Sequence, residues 1–155
     1  MSQSINLYKQ LARHKLFNKS VNFNLKRIRL ALNLLGRPER KLKNVISVLG
    51  ESGKFTTLFA LKSFIEANKQ KVTTHISPSL RDIRERFYMG DRCLSHKEIK
   101  RTIKQIEKLN IPLTVFECLT LVYILNASRI NADYNIQETG ALWRLDSNNI
   151  NDFPR

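Results

Sequence analysis

Gly50, Gly53, Lys54 and Thr56 are the residues of this chain whose types and spacing come nearest to chemistry. In Gly50-Glu51-Ser52-Gly53-Lys54-Phe55-Thr56 the glycines let backbone N–H groups converge, the lysine adds a cation, and a hydroxyl follows two residues on. Such a turn can hold phosphate oxygens, with Thr56 placed to reach Mg²⁺. The common phosphate loop has four residues between its glycines and joins lysine directly to serine or threonine. This one is tighter, and by itself it reads equally well as a helix-capping turn beside a chance lysine. Two elements must position it. The β-branched run Val45 to Leu49 reads as a strand entering the turn, and Leu58, Phe59, Leu61, Phe64 and Ile65 mark a helix leaving it.

The remaining elements follow from periodicity. Leu25, Ile28, Leu32 and Leu35 fall at helical steps, with Gly36 just past the end and Pro38 beyond it, which predicts an amphipathic helix with a left-handed cap. Lys71 to Ile76 reads as a second strand, and Arg81 to Asp91 as an irregular, highly charged loop. Ser95 and Glu98 form a capping box that opens a helix to Leu109 along Ile99, Ile103 and Ile106. Thr114 and Glu117 repeat the device, and the helix to Ala127 is apolar nearly all round, so it belongs against a sheet. Asp133 to Thr139 is the next strand, and Gly140 to Arg155 reads as polar loop. Leu7 to Phe17 reads as a short helix or a frayed terminus. Strand, helix, strand in succession is the order of a parallel sheet with crossover helices.

Composition bounds the function. At 155 residues with 42% apolar content the chain has the length and hydrophobicity of one globular domain. Its net charge is +14, from 27 Lys and Arg against 13 Asp and Glu, and residues 1–43 carry 11 bases and a single acid, Glu39. Such an excess suits phosphate or nucleic acid, and is also what a solvated basic surface looks like. Charge alone does not indicate base readout, so a nucleic-acid partner is an alternative and not the expectation. Cys93 and Cys118 are far apart and read as reduced thiols of a cytoplasmic protein, and His14, His75 and His96 lack zinc-ligand spacing. No window approaches ~18 consecutive apolar residues, so no membrane span is expected. The start lacks the apolar run of a secretory signal, although its bases, serines and lack of acids are shared with organellar presequences.

Five motifs, in order, carry a resemblance. They are Arg27-x-x-x-Ala31-Leu32 closed by Leu35-Gly36-x-Pro38; Gly50-x-x-Gly53-Lys54-x-Thr56; Ser77-Pro78-x-Leu80 followed by Glu85-Arg86; Leu113-Thr114-x-Phe116-Glu117; and Glu138-x-Gly140-x-x-x-Arg144-Leu145-Asp146-x-x-Asn149. The succession resembles the N-terminal part of folylpolyglutamate synthase and the related dihydrofolate synthase, ATP-dependent ligases of the Mur ligase superfamily. The resemblance covers about Leu25 to Ile150. It implies an α/β fold with a partial parallel sheet and flanking helices, like a phosphate-loop ATPase but incomplete. It divides the chain into a basic segment 1–22, a partial ATP-binding ligase domain 23–150 and a tail 151–155, without the family's C-terminal domain.

The implied chemistry is amide formation. The substrate carboxylate takes the γ-phosphoryl group of ATP, and the amine of L-glutamate attacks the acyl phosphate, because a carboxylate oxygen leaves poorly until it becomes phosphate. Carried over by motif, Gly50, Gly53, Lys54 and Thr56 bind ATP phosphates; Thr56, Ser77 and Glu138 face Mg²⁺; and the loop bearing Pro78, Glu85 and Arg86 covers the folate site. No residue is assigned as catalytic. Structural readings stand beside these: Ser77 as a turn residue before Pro78, Glu117 as a capping acid, Arg144 and Asp146 as a surface pair. Glu138 is the firmest, since a strand-end acid lies where α/β ligand sites form.

Departures from the family pattern point the other way. Glu51-Ser52 replaces Thr-Asn between the glycines, and like charges ~4 Å apart cost about 1 kcal/mol even in water. Phe55, Leu142 and Trp143 stand where the family has glycine, and Ser79 where it has histidine. Three readings follow: a folate ligase completed by a complementary chain carrying the missing half, a non-catalytic remnant, or a basic nucleic-acid-binding module.

Overall fold

The structure, a computed structural model, describes residues 24–140 and 143–150. The helix or frayed end expected at Leu7 to Phe17, the segment 1–22 and the tail lie outside the described residues. Helix α1 (Lys26–Leu34) ends as its sequence predicts. Gly36 N–H donates to Asn33 O (3.1 Å) and Arg37 N–H to Leu32 O (2.8 Å), the paired bonds of a Schellman cap. Gly36 takes φ +80°, and Arg37 follows it into the left-handed region at +56°.

Strands β1 (Val45–Val48), β2 (Val72–His75), β3 (Phe87–Met89) and β4 (Tyr134–Glu138) form one sheet in the order β1-β4-β2-β3. β4 lies between β1 and β2 and is parallel to both, with Val48 opposite Glu138 and His75 opposite Gln137. β3 is antiparallel to β2, pairing Phe87 with His75. The expectation of an irregular loop over residues 81–91 is therefore corrected. A 3₁₀ turn, Ile83–Arg86, leads into β3, and Ile83, Phe87 and Met89 are buried. Five charges within six residues conceal a strand whose inward positions are only Phe87 and Met89. The sheet is accordingly mixed, three parallel strands with an antiparallel edge.

Helices cover both faces. α2 (Lys54–Ala67) packs Leu58 and Ile65 on Val48, Val72, Ile76 and Ile136. The other face carries α4 (Val115–Ala127), in which every residue from Glu117 to Ala127 is buried. α3 (His96–Glu107) packs on α4 through Ile99, Ile103 and Ile106, in one core with Ile28 and Leu32 of α1. Burying each such side chain contributes about 1.5–3 kcal/mol. Both predicted capping boxes form: Ser95 with Glu98, and Thr114 with Glu117.

The sheet face under α4 is polar, which the apolar helix above it did not foretell. Thr73, His75, Asn135 and Gln137 point there, being cross-strand partners on one side of the pleat. Thr73 Oγ1 lies 2.9 Å from Tyr123 OH and donates to Asn135 Oδ1 (2.6 Å). His75 stacks against Phe87 and Tyr123, its Nδ1 3.2 Å from Asn148 Oδ1. The segment after β4 is likewise not the polar loop expected of it. Asp146, Ser147, Asn148 and Ile150 are buried, because Asn148 fills the end of the polar layer.

Candidate functional site

The phosphate-loop residues lie at the carboxyl end of β1, where the strand passes through Leu49 into the turn and Gly53 caps α2. Gly53 adopts φ +76° and provides no side-chain cap, so the first amides of this 14-residue helix have no side-chain acceptor. That is the anion-binding end of a helix dipole. A residue with a Cβ would be strained at this φ even though open space surrounds it. Lys54 Nζ folds back onto the turn and donates to Gly50 O (2.8 Å) and Glu51 O (3.4 Å), so its ammonium is held at the loop. Thr56 and Glu51 are exposed. The Phe55 ring leans on Phe59, with centroids 4.5 Å apart.

Glu138 closes β4, opposite Val48 and thus beside the entry to the phosphate loop. Its Oε2 accepts the backbone N–H of Ser77 (2.8 Å), just beyond β2. Ser77 precedes a cis peptide to Pro78. The carboxyl ends of three adjacent parallel strands thereby lie side by side: β1 leads into the turn that bears Lys54 and Thr56, and the end of β4 meets the residue just beyond β2 through the Glu138–Ser77 bond. Among the described residues no group of three His, Cys, Asp or Glu side chains could hold a metal ion. The donor set instead suits a hard cation bound sparingly, with one carboxylate, hydroxyls and phosphate oxygens, which is how Mg²⁺ is usually held. Glu138, Ser77 and Thr56 would hold it, since only one oxygen of Glu138 is occupied by the Ser77 amide.

The loop from Pro78 to Arg86 divides in two. Glu85 Oε2 accepts the N–H groups of Leu80 (2.8 Å) and Arg81 (3.1 Å) and shapes the turn, which presents Leu80 at 79% exposure. Arg86, expected on the loop surface, is buried at the start of β3, beside His75. Glu117 is held by the Thr114 amide (2.6 Å) and by Arg27 of α1 (3.2 Å), which gives it a complete structural role. Arg144 and Asp146 do not form the surface pair expected of them. Arg144 is exposed, whereas Asp146 is buried and accepts the N–H groups of Gly140 (2.9 Å) and Asn148 (2.8 Å). Burial pushes its carboxyl pKa up, against the two amide bonds that lower it.

Several residues that support the site were not legible beforehand. The N–H and the Oγ1 of Thr139 both donate to Val48 O (3.1 Å each), locking the ends of β4 and β1 together. Asn148 Nδ2 donates to Glu138 O (2.8 Å), fixing the backbone of the strand-end acid from behind. Gly140 lets Asp146 approach, since a Cβ there would lie 2.7 Å from Asp146 Oδ2. Only the Glu-x-Gly spacing hinted at this last contact.

A sheet of three parallel strands and one antiparallel edge strand, with helices on both faces, is an α/β fold of the Mur ligase central-domain type. No family model matches the chain. The dihydrofolate synthase/folylpolyglutamate synthase of Buchnera aphidicola subsp. Schizaphis graminum is 33% identical over 138 residues, which cover 88% of this chain and 33% of the relative. E. coli FolC, solved in complex with DHPP and ADP, superposes with a TM-score of 0.86 at 30% identity, over 96% of this chain and 36% of that one. The bifunctional enzyme from Yersinia pestis c092, solved with AMPPNP and Mn ion, gives 0.85 at 27% identity over 96% and 36%. In sequence and in structure the chain is homologous to the folylpolyglutamate synthase/dihydrofolate synthase enzymes. It spans about a third of the length of the relatives it matches. Among the described residues no helix is long and apolar enough to cross a membrane.

Proposed function

We propose that this chain provides the ATP-phosphate and Mg²⁺ portion of an ATP-dependent ligase that adds L-glutamate to a folate through an amide bond. The observation that carries the reading is the Glu138–Ser77 contact beside the Gly50–Thr56 turn, because it joins three separately predicted motifs at one sheet edge. The uncapped amides of α2 and the Lys54 ammonium meet the phosphates, and Mg²⁺, when bound, neutralises charge on the transferring group. Glu138 orients Ser77 through its backbone while presenting its own carboxylate. The turn from Ser77 to Glu85 follows β2 at this edge, and in this reading it covers the acyl substrate. Relatives run about three times this length, so the whole reaction is proposed for an assembly in which further polypeptide supplies the remaining groups.

A second reading, a nucleotide-free remnant, is favoured by Glu51 within the turn and by the Lys54 ammonium already occupied by Gly50 O. Titration of the chain with a fluorescent ATP analogue and Mg²⁺ separates the two. Saturable binding lost in Lys54→Ala supports the ligase portion. Absence of binding at millimolar nucleotide, with the chain folded by circular dichroism, supports the remnant.

A further inference from the structure

The net charge said nothing about where the cations lie, and folding gathers six of them on one surface. Lys97, Lys100, Arg101 and Lys104 of α3, Lys108 at its end and Arg129 just beyond α4 are all exposed. Lys97, Arg101, Lys104 and Lys108 recur at helical spacing and make a stripe about 16 Å long at ~1.5 Å per residue. Arg129 stands across from it, donating to Gln105 Oε1 (3.4 Å), and the space between is a shallow groove of about 610 Å³.

Among the described residues none of the six cations takes part in a salt bridge. Of the acids on α3, Glu98 is taken up by Arg92 and by the Ser95 cap, and Glu107 is half-buried. Like charges one helical turn apart repel and weaken the helix that carries them, so the stripe is a cost to the fold. Its inner face accounts for α3 as a packing element, through Ile99, Ile103 and Ile106, but leaves the outer face unexplained. The patch is also remote from the phosphate turn. α4 separates α3 from the sheet, and α2, which carries the turn, lies on the opposite face.

We propose that this face binds the phosphate backbone of a double-stranded nucleic acid without reading its sequence. Several observations select that partner. A protein interface of this size would centre on apolar or aromatic anchors, and the groove is lined by Arg101, Lys104, Gln105, Lys108 and Arg129 alone. Single-strand binding draws on aromatic side chains that stack bases, and none lines the groove. What remains is a row of cations, which is the footprint of backbone contact.

The test is fluorescence anisotropy of the whole chain with a labelled duplex of mixed sequence, across a salt series. Four phosphate contacts give a log–log slope of about −3.6, or ~150-fold weaker binding from about 50 to about 200 mM salt. Arg101→Gln/Lys104→Gln/Lys108→Gln, all at exposed positions, should flatten the slope by about 2.7, with the fold checked by circular dichroism. Lys26→Gln, an exposed cation on α1, should leave it unchanged. The proposal fails if the duplex does not bind, or if the triple variant binds with the original slope. It also fails if a single strand of equal length or polyglutamate competes better than the duplex, or if Mg²⁺-ATP displaces it, since each outcome places the interaction elsewhere.

Discussion

His75→Phe should change how the stability of this protein depends on pH, by an amount that can be worked from the structure. His75 is wholly buried, stacked on Phe87, Phe116 and Tyr123 at 5.6, 6.3 and 5.1 Å between ring centroids, and among the described residues its Nε2 has no hydrogen-bond partner. Burial first, and the nearby Arg86 guanidinium second, push its pKa down from 6.5 to about 3, while the Asn148 contact pulls slightly upward. The folded pKa is the lower one, so the unfolded chain takes up the proton as pH falls. The contribution of neutral His75 is thus complete above about pH 6.5 and erodes by ~1.4 kcal/mol per pH unit until the folded form protonates near pH 3. Two units below 6.5, the wild type has lost about 3 kcal/mol through this residue alone.

Phenylalanine suits the aromatic stack. It forfeits the Asn148 contact, worth about 1 kcal/mol, and relieves an unpartnered nitrogen of similar or greater cost, so near-neutral stability should change by less than about 1 kcal/mol. Urea denaturation followed by far-UV circular dichroism, at about pH 7, 5.5 and 4.5, reads the difference. The variant should overtake the wild type by about 3 kcal/mol at the lowest pH. Glu98, whose carboxyl its Arg92 bond holds down at about 2, also titrates in acid but is present in both proteins and cancels. Parallel pH profiles for the two proteins would refute the reasoning, since they would mean His75 is charged or hydrated in the folded state.

Other expectations rest on single contacts. Glu138→Ala strands the Ser77 amide and should cost about 1–3 kcal/mol in urea unfolding, whereas Glu138→Gln keeps an acceptor, holds the fold, and should abolish only the Mg²⁺ enhancement of nucleotide-analogue binding. Gly140→Ala drives a methyl against Asp146 Oδ2 and should lower Tm, with a loss of about 1–3 kcal/mol as the two Asp146 amide bonds distort. Thr114→Ala removes one N-cap bond for about 1 kcal/mol, and Glu117→Ala should cost more, because it breaks the other half of the box and the Arg27 pair together. Thermal melts of the two variants side by side check that order.

Local chemistry was legible wherever a residue's role depends on its near neighbours in the chain. The Schellman cap at Gly36, both capping boxes, the helical stripes of α1 and α3, and the turn and helix around Lys54 are such cases, since each is closed by bonds between residues a few positions apart. β3 was not legible, because a three-residue edge strand needs only two inward apolar positions and its flanks are charged. The roles of Asp146 and Asn148 were hidden for a related reason. Both look like solvent-facing polar residues until β4 and α4 are in place to bury them.

By itself, then, the amino-acid order determined the helices of the described core and the three parallel strands, and which turns and caps close them, but not the edge strand β3. Only the tertiary structure decided that β4 inserts between β1 and β2, and with it that the acid at 138 meets the amide at 77 beside the turn at 50. Hydrogen bonds within a helix or turn are set by a handful of consecutive dihedral angles, so sequence patterns report them. The pairing of strands tens of residues apart depends on the summed burial of every element at once, and no local pattern contains that sum.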